Sequence, residues 1–477
     1  MNTNDRFRLK RDLVVRNILG LYFIVDLNEK HYFNGKNLLK LNYTGYQFIT
    51  YMKALKNFSV EELVQKLVSS IWKEIDADII RHDLFQFVEL LLSHGLILNE
   101  KENTINLKQD LSSNSFSKAK SKKENLRSIP QFVNNYWGPK RHIFNAGIEL
   151  TSSCNLRCVH CYNQNESHKT VLSLKDVKVI LDELYSIGTL FIYFTGGEIL
   201  SRPDFLDIYL YAKKKGFIIE LLTNGTLLTD EIIHVFEKYP PANVSISVYG
   251  GEKETFGKVT QKGFYFDSLM NNLNKLKRAG IEFEIKFIGM DLNIQDFDKV
   301  RILARVLEVP FRYAFELFPA LHGPKENTEH QISIDKIIEI EKNDREMCKR
   351  LSRGAVNHNN IDAYGDCLYK CSISRYMILI DFEGYINPCT VMRSKKFNIL
   401  KGELGEAWEY FGKYITEKAP KDYKCASCKN YYFCSPCVEK NKLFTGSKYT
   451  PVDFHCKLVE ARRKEFSKSA YDLYRKK

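Results

Sequence analysis

The sequence predicts an α/β fold: an incomplete (β/α) barrel of six strands, preceded by a winged helix-turn-helix unit and followed by a cysteine-rich region. Three observations carry this. Residues 140–320 alternate β-rich and helix-patterned segments with short joints, and repeated βα units imply a parallel sheet. Residues 8–100 read as a hairpin plus three helices. Nine of the twelve cysteines fall after Glu346, in a loop-rich stretch. The expected divisions are 1–102, a polar linker at 103–135, the barrel at 136–345 and the cysteine-rich region at 346–477.

In chain order, LYFIVDLNEKHYFNG (21–35) holds two β-rich runs around Asn28, Glu29 and Lys30, which predicts a hairpin. Ser59 opens a helix, with Glu62 completing a capping box and Phe58 placed to staple onto Leu63. Val60, Leu63, Val64, Leu67 and Ile71 keep helical spacing. A further helix from about Asp78 ends at Gly95, a left-handed cap. NLKQDLSSNSFSKAKSKKENLRS is too polar to fold alone and reads as a linker. The six strands are expected at 142–151, 190–196, 217–225, 244–250, 283–289 and 311–318. Between them, Ser173 and Asp176 cap a helix over 174–186, and another covers 266–279 before Gly280. Six strands rather than eight leave one side of the barrel open.

The totals exclude several classes. No run of about 18 uncharged apolar residues exists, so no membrane span is expected. The start, MNTNDRFRLKRDL, lacks the apolar core of a secretory signal, which predicts a cytoplasmic protein with reduced thiols. Twelve cysteines there read as metal ligands. The formal charge of +13 favours an anionic partner such as nucleic acid, a membrane surface or an acidic peptide, while its diffuse distribution, densest at KAKSKK and RRKEFSK, equally fits a solvated basic face.

Cys154, Cys158 and Cys161 follow the first barrel strand at its C-terminal end, where barrel enzymes build their active sites. Structural zinc wants four ligands and a disulfide two. Three thiolates can hold one corner of a [4Fe–4S] cubane and leave the fourth iron open to a small molecule. CxxxCxxC after the first strand, with Thr195-Gly196-Gly197-Glu198 after the second, resembles the radical S-adenosylmethionine superfamily. That resemblance implies S-adenosylmethionine chelated by the open iron and cleaved reductively to a 5′-deoxyadenosyl radical that abstracts hydrogen. It also implies cofactor contacts from Gly196, Gly197 and Glu198, from His160 beside the adenine, and from Asn224 and Ser247 at later strand ends. Glycine would let the backbone approach the methionine amino group closely.

The later cysteines run Cys371-x12-Gly384-x4-Cys389, then Cys425-x2-Cys428-x5-Cys434-x2-Cys437, then Cys456. This order resembles the SPASM domain of peptide-modifying radical enzymes, with one residue fewer than usual between the last two cysteines of the run. The resemblance implies two auxiliary [4Fe–4S] clusters: an outer one on Cys425, Cys428, Cys434 and Cys456, and an inner one on Cys371, Cys389, Cys437 and Cys367. Both would be fully ligated and suited to electron transfer. Cys348 is left over as a spectator. Taken alone, C-x2-C-x5-C-x2-C also fits a zinc ribbon.

The N-terminal hairpin, Asn-x-Thr-Gly at 42–45, the Ser59 helix and HGLI at 94–97 resemble the peptide-recognition (PqqD-like) domain of enzymes that modify ribosomally made peptides. A precursor's leader would add as a strand to the hairpin, with Phe23, Tyr32 and Phe33 as edge candidates. DNA binding would need a basic recognition helix, yet 59–73 carries two glutamates against two lysines. Jointly the resemblances imply a radical peptide maturase of the sactipeptide, bacteriocin-forming type. It would make sulfur-to-carbon thioether cross-links and draw electrons from a reductant such as flavodoxin or ferredoxin. Carbon–carbon or carbon–oxygen cross-linking uses the same parts. Epimerisation, sulfatase maturation and a non-enzymatic iron–sulfur or zinc regulator stand further off.

Overall fold

The computed structural model describes residues 3–10, 12–28, 38–100, 140–163, 171–321, 326–354, 366–371, 373–426, 428, 430, 433–434 and 436–475, with the side chains of 352–354 and 467–475 left aside. The linker and the second half of the expected 21–35 hairpin therefore lie outside the described residues.

Two small sheets open the chain. Strands β1 (Phe7–Leu9), β5 (Asn57–Phe58) and β6 (Ile97–Asn99) form one, in the order β5-β1-β6. Strands β2 (Leu13–Ile18), β3 (Leu21–Asp26) and β4 (Leu38–Leu41) form the other, in the order β2-β3-β4. The described hairpin joins β2 to β3 through Leu19 and Gly20, both at positive φ, one run earlier than the sequence pattern indicated. Three helices, Tyr43–Leu55, Val60–Ser70 and Ala77–Ser93, pack with these strands around a shared apolar core. Asn42 caps the first, its side chain accepting from Gly45 N at 2.7 Å. Ser59 and Glu62 form the reciprocal capping box, with bonds of 3.2 and 3.0 Å.

The central sheet has eight strands in the order β12-β11-β10-β9-β8-β7-β13-β14. Strands β7 (Asn145–Thr151), β8 (Phe191–Gly196), β9 (Ile218–Thr223), β10 (Asn243–Ser247), β11 (Phe283–Ile288) and β12 (Phe311–Ala314) are parallel neighbours throughout. Helices such as Leu174–Ser186 and Phe266–Arg278 cover the outside. The surprise lies at the β7 edge. Strands β13 (Met377–Ile380) and β14 (Ile386–Asn387) come from the cysteine-rich region, and β13 pairs in parallel with β7. That region is therefore built onto the barrel sheet rather than appended to it.

Alternation along β7 divides its side chains. Ala146, Ile148 and Leu150 enter the main core, so Gly147, Glu149 and Thr151 point into the lumen. Tyr193 from β8 fills the space over Gly147, where an added Cβ would lie 2.2 Å from the phenol ring.

The N-terminal unit sits on the other end of the barrel from the cysteine loop. Ile18, Phe23, Val25 and Leu27 pack against Phe144, Leu190, Phe191 and Ile218, residues at or just before the starts of β7, β8 and β9. Arg16 is 1% exposed in this seam. Its guanidinium donates to the Thr189 carbonyl at 2.7 Å and to the Gly216 carbonyl at 3.3 Å, and lies 4.4 Å from the Tyr185 ring centroid. Phe23 is fully buried there, which removes it as a peptide-edge residue; Tyr32 and Phe33 lie outside the described residues. Among the described residues no helix is long and apolar enough to cross a membrane.

Candidate radical site and its cysteine neighbours

The loop after β7 is pinned at several points. Ser153 N donates to Thr151 Oγ1 at 3.0 Å, and Arg157 N and Val159 N donate to the carbonyls of Thr260 and Val259, both at 3.0 Å. Leu156 is buried in the barrel core, and Val159, partly buried, packs against a smaller apolar cluster. These anchors hold Cys154, Cys158 and Cys161 as half-buried cysteines outside any disulfide. Burial pushes the Cys154 thiol up to about 11 and raises Cys158 and Cys161 as well. Cys158 is raised further by the charges of its two companions, so the three thiols lie near one another. A cation between them would reverse that shift, since metal ligation deprotonates thiols.

The glycine pair does something the sequence did not disclose. Gly197 N donates to Thr151 O and Glu198 N to Ser153 O, both at 2.8 Å. A Cβ on Gly196 would lie 2.2 Å from Thr151 O, and one on Gly197 would lie 2.2 Å from Ser153 O. Gly196 also sits at φ +138°. Close packing against the base of the cysteine loop thus demands glycine at both positions.

Glu198 is fully buried and tied into the protein. Its carboxylate accepts from Thr223 Oγ1 at 2.6 Å, Asn224 N at 2.7 Å and Leu200 N at 3.0 Å. It joins the end of β8 to the end of β9. Burial raises its pKa against those three bonds. Replacing Glu198 by Ala is expected to lower stability by about 3 kcal/mol, because three buried donors lose their acceptor. Urea unfolding checks this; unchanged stability with weakened cofactor binding would make Glu198 a direct contact after all.

Asn224 reaches Cys154, with Nδ2 3.9 Å from the sulfur and 2.9 Å from Asn155 Oδ1. Its Oδ1 accepts from the Thr226 hydroxyl at 2.6 Å, so its orientation is fixed. His160 packs edge-on against Tyr249, with centroids 4.7 Å apart. Burial drives the imidazole down to about 4, and its Nδ1 is inaccessible and without a hydrogen-bond partner. Ser247, at the end of β10, lies near the Tyr249 phenol and counters part of the upward shift that burial gives it. Tyr249 was missed from sequence, yet it is close enough to feel all three cysteines. The period of two was the available signal, since Tyr249 follows Ser247 on the same face of VSISVYG.

Three half-buried thiolate donors with a neutral imidazole carrying an orphaned nitrogen beside them fit a [4Fe–4S] cluster and a bound nucleoside cofactor. When bound, that pair supplies the electron that cleaves the sulfonium and hence a hydrogen-abstracting radical. The chain's part is to fix the thiols, orient Asn224 and hold His160 neutral.

The later cysteines gather in two groups. Cys371 and Cys389 each feel the charge of Cys437, and Cys389 that of Cys371. Cys434 feels Cys425, Cys456 and Cys428. A cavity of about 490 Å³ is lined by Cys425, Cys434, Cys437 and Cys456 with Glu316 and Lys440. Cys367 lines a second cavity of about 420 Å³ with Asp366, Tyr423 and Cys425. Cys348 donates to the carbonyl of Glu341 in its own helical neighbourhood.

Comparison with known proteins agrees with the barrel. The AdoMet-dependent heme synthase of Methanosarcina barkeri is 26% identical over 330 residues, covering 65% of this chain and 94% of that protein. The mycofactocin maturase MftC of Mycolicibacterium smegmatis is 28% identical over 325 residues, covering 65% and 81%. The crystal structure of Streptococcus suis SuiB bound to precursor peptide SuiA superposes with a TM-score of 0.56 at 13% identity, covering 94% of this chain and all of that one. Residues 148–304 match the family described as the Radical SAM superfamily. That segment begins inside β7 and so contains the cysteine loop, the glycine pair and Asn224. The chain carries a radical SAM domain, which implies S-adenosylmethionine and a [4Fe–4S] cluster, and it is an enzyme.

Proposed function

We propose that this enzyme modifies a ribosomally made precursor peptide, forming sulfur-to-carbon thioether cross-links within it. The observation that carries the reading is the N-terminal unit. Among the described residues its β2 and β4 each pair only with β3, so the sheet offers edges to which an extended peptide adds as a strand. A radical barrel acting on a small molecule has no use for such an edge. The maturase MftC and the peptide-bound SuiB support the peptide class. We assign residues 1–102 to leader recognition, 346–477 to a SPASM-type domain, and Cys425, Cys428, Cys434 and Cys456 to its outer cluster. We assign the inner cluster to Cys371, Cys389 and Cys437, with Cys367 as its fourth ligand. Bond formation after hydrogen abstraction leaves one electron, which an auxiliary cluster can take up; epimerisation needs no such acceptor.

Intact mass of a co-expressed precursor tests this. Each cross-link removes two hydrogens, whereas epimerisation leaves the mass unchanged, and fragmentation then separates thioether from carbon–carbon or carbon–oxygen links. A second reading, a tetrapyrrole substrate, is favoured by the heme synthase relative. It is supported instead if peptide mass never changes while a tetrapyrrole is consumed.

The docked N-terminal unit adds a length requirement. Strand β7 has seven residues, roughly 23 Å, between the seam and the cysteine loop. A leader held at the far end therefore needs at least about seven extended residues before the first modified position. Shortening that spacer below the limit is expected to abolish modification while leader affinity stays constant, measured by fluorescence anisotropy. Undiminished modification with a shorter spacer would place the leader elsewhere.

A further inference from the structure

We propose that the buried Glu149–Arg393 ion pair is a positioning clamp that fixes the separation between the Cys154-bearing loop and the inner cysteine loop across the barrel lumen. The proposal rests on the reading that both loops carry iron–sulfur clusters.

Glu149 lies on the lumen face of β7, five residues before Cys154, and Arg393 follows Cys389 by four. The contact is bidentate: Nη1 donates to Oε2 at 2.9 Å and Nη2 to Oε1 at 2.6 Å. The two side chains are 3% and 12% exposed. A planar fork on a carboxylate fixes orientation as well as distance, which a lysine does not.

Both ends are tied back to their cysteines. Arg393 Nε donates to the Thr390 carbonyl at 2.8 Å, one residue from Cys389, and Met392 N reaches the Cys389 sulfur at 3.4 Å. Tyr162, next to Cys161, is near enough to feel both charges. The Thr390 side chain lies near Tyr193, the residue that fills the lumen over Gly147.

Strand pairing explains why a clamp is needed at this height. The ladder between β13 and β7 runs from Asn145 to Ile148 and stops. Glu149 is the next residue. Above the ladder the ion pair continues the join toward the cysteine end.

Stability alone is a poor account of it. Buried ion pairs are commonly replaced by apolar residues of similar volume without loss of stability, whereas removing one partner strands a charge. This separates the two roles. In the full-length, anaerobically reconstituted protein, Glu149→Met with Arg393→Met is expected to fold and load iron fully. Arg393→Lys, which keeps the charge and loses the fork, guards against a double variant that does not fold.

The readout is the electron-spin relaxation that the reduced clusters impose on one another, beside the yield of product per S-adenosylmethionine cleaved. Both variants are expected to show altered relaxation and about a tenfold lower yield, with cofactor cleavage continuing. Unchanged relaxation and yield at full iron loading would overturn the clamp alone. Unaltered protein that holds only about four irons would overturn the auxiliary-cluster reading, and the clamp with it.

Discussion

Changing Cys154, Cys158 and Cys161 together to Ala is expected to abolish cleavage of S-adenosylmethionine outright. With the two auxiliary clusters proposed above, iron should fall from about twelve to about eight per chain, at four irons per cubane. The three thiols lie near one another on a loop held by bonds to Thr260 and Val259 that involve none of the sulfurs. The loop should therefore keep its path when the sulfurs are lost. The later cysteines belong to separate groups around Cys437 and Cys434, so their iron should remain. Loss of all iron would mean that the sites assemble cooperatively. Retained formation of 5′-deoxyadenosine, measured chromatographically after anaerobic reduction, would remove the radical site from this loop.

Much of this architecture was legible because short-range signals agreed with long-range ones. The six parallel strands were marked by apolar runs, and Ser59, Ser173, Gly95 and Gly280 punctuated helices through local bonds or positive φ. Strand β13 was not legible. Its apolar run sits among cysteines, and nothing in MILI announces that it pairs with a strand more than 200 residues away. The Glu149–Arg393 pair was hidden for the same reason. A glutamate inside an apolar strand reads as an anomaly until its partner arrives, 244 positions later. Phe23 failed differently: alternation predicts that a strand residue faces one side, but not that the side is covered by the barrel.

The glycine pair shows how a correct motif can carry an incomplete reason. Two explanations for Gly197 make different predictions. If glycine is there only so that the backbone can approach the cofactor, Gly197→Ala loads iron normally and binds S-adenosylmethionine weakly. The structure argues for an earlier failure. An added Cβ would meet Ser153 O at 2.2 Å, Ser152 O at 2.6 Å and Ser153 C at 2.6 Å, all of them backbone. No rotamer change relieves a backbone clash, so the ends of β7 and β8 must part. Parting them strains the bonds from Gly197 N to Thr151 O and from Glu198 N to Ser153 O, and moves Cys154 with its loop. Overpacking of this kind costs about 1–3 kcal/mol, which a chain of this size can survive. Gly197→Ala is therefore expected to fold, with a lowered midpoint in urea, and to lose about four irons together with cofactor cleavage. Gly405→Ala is the matched control, because nothing lies within 4 Å of its added Cβ, and it should load iron fully. A Gly197→Ala protein with full iron and weakened cofactor affinity would return the glycine to the cofactor; one with full iron and full activity would show that the strand ends give way more easily than their packing implies.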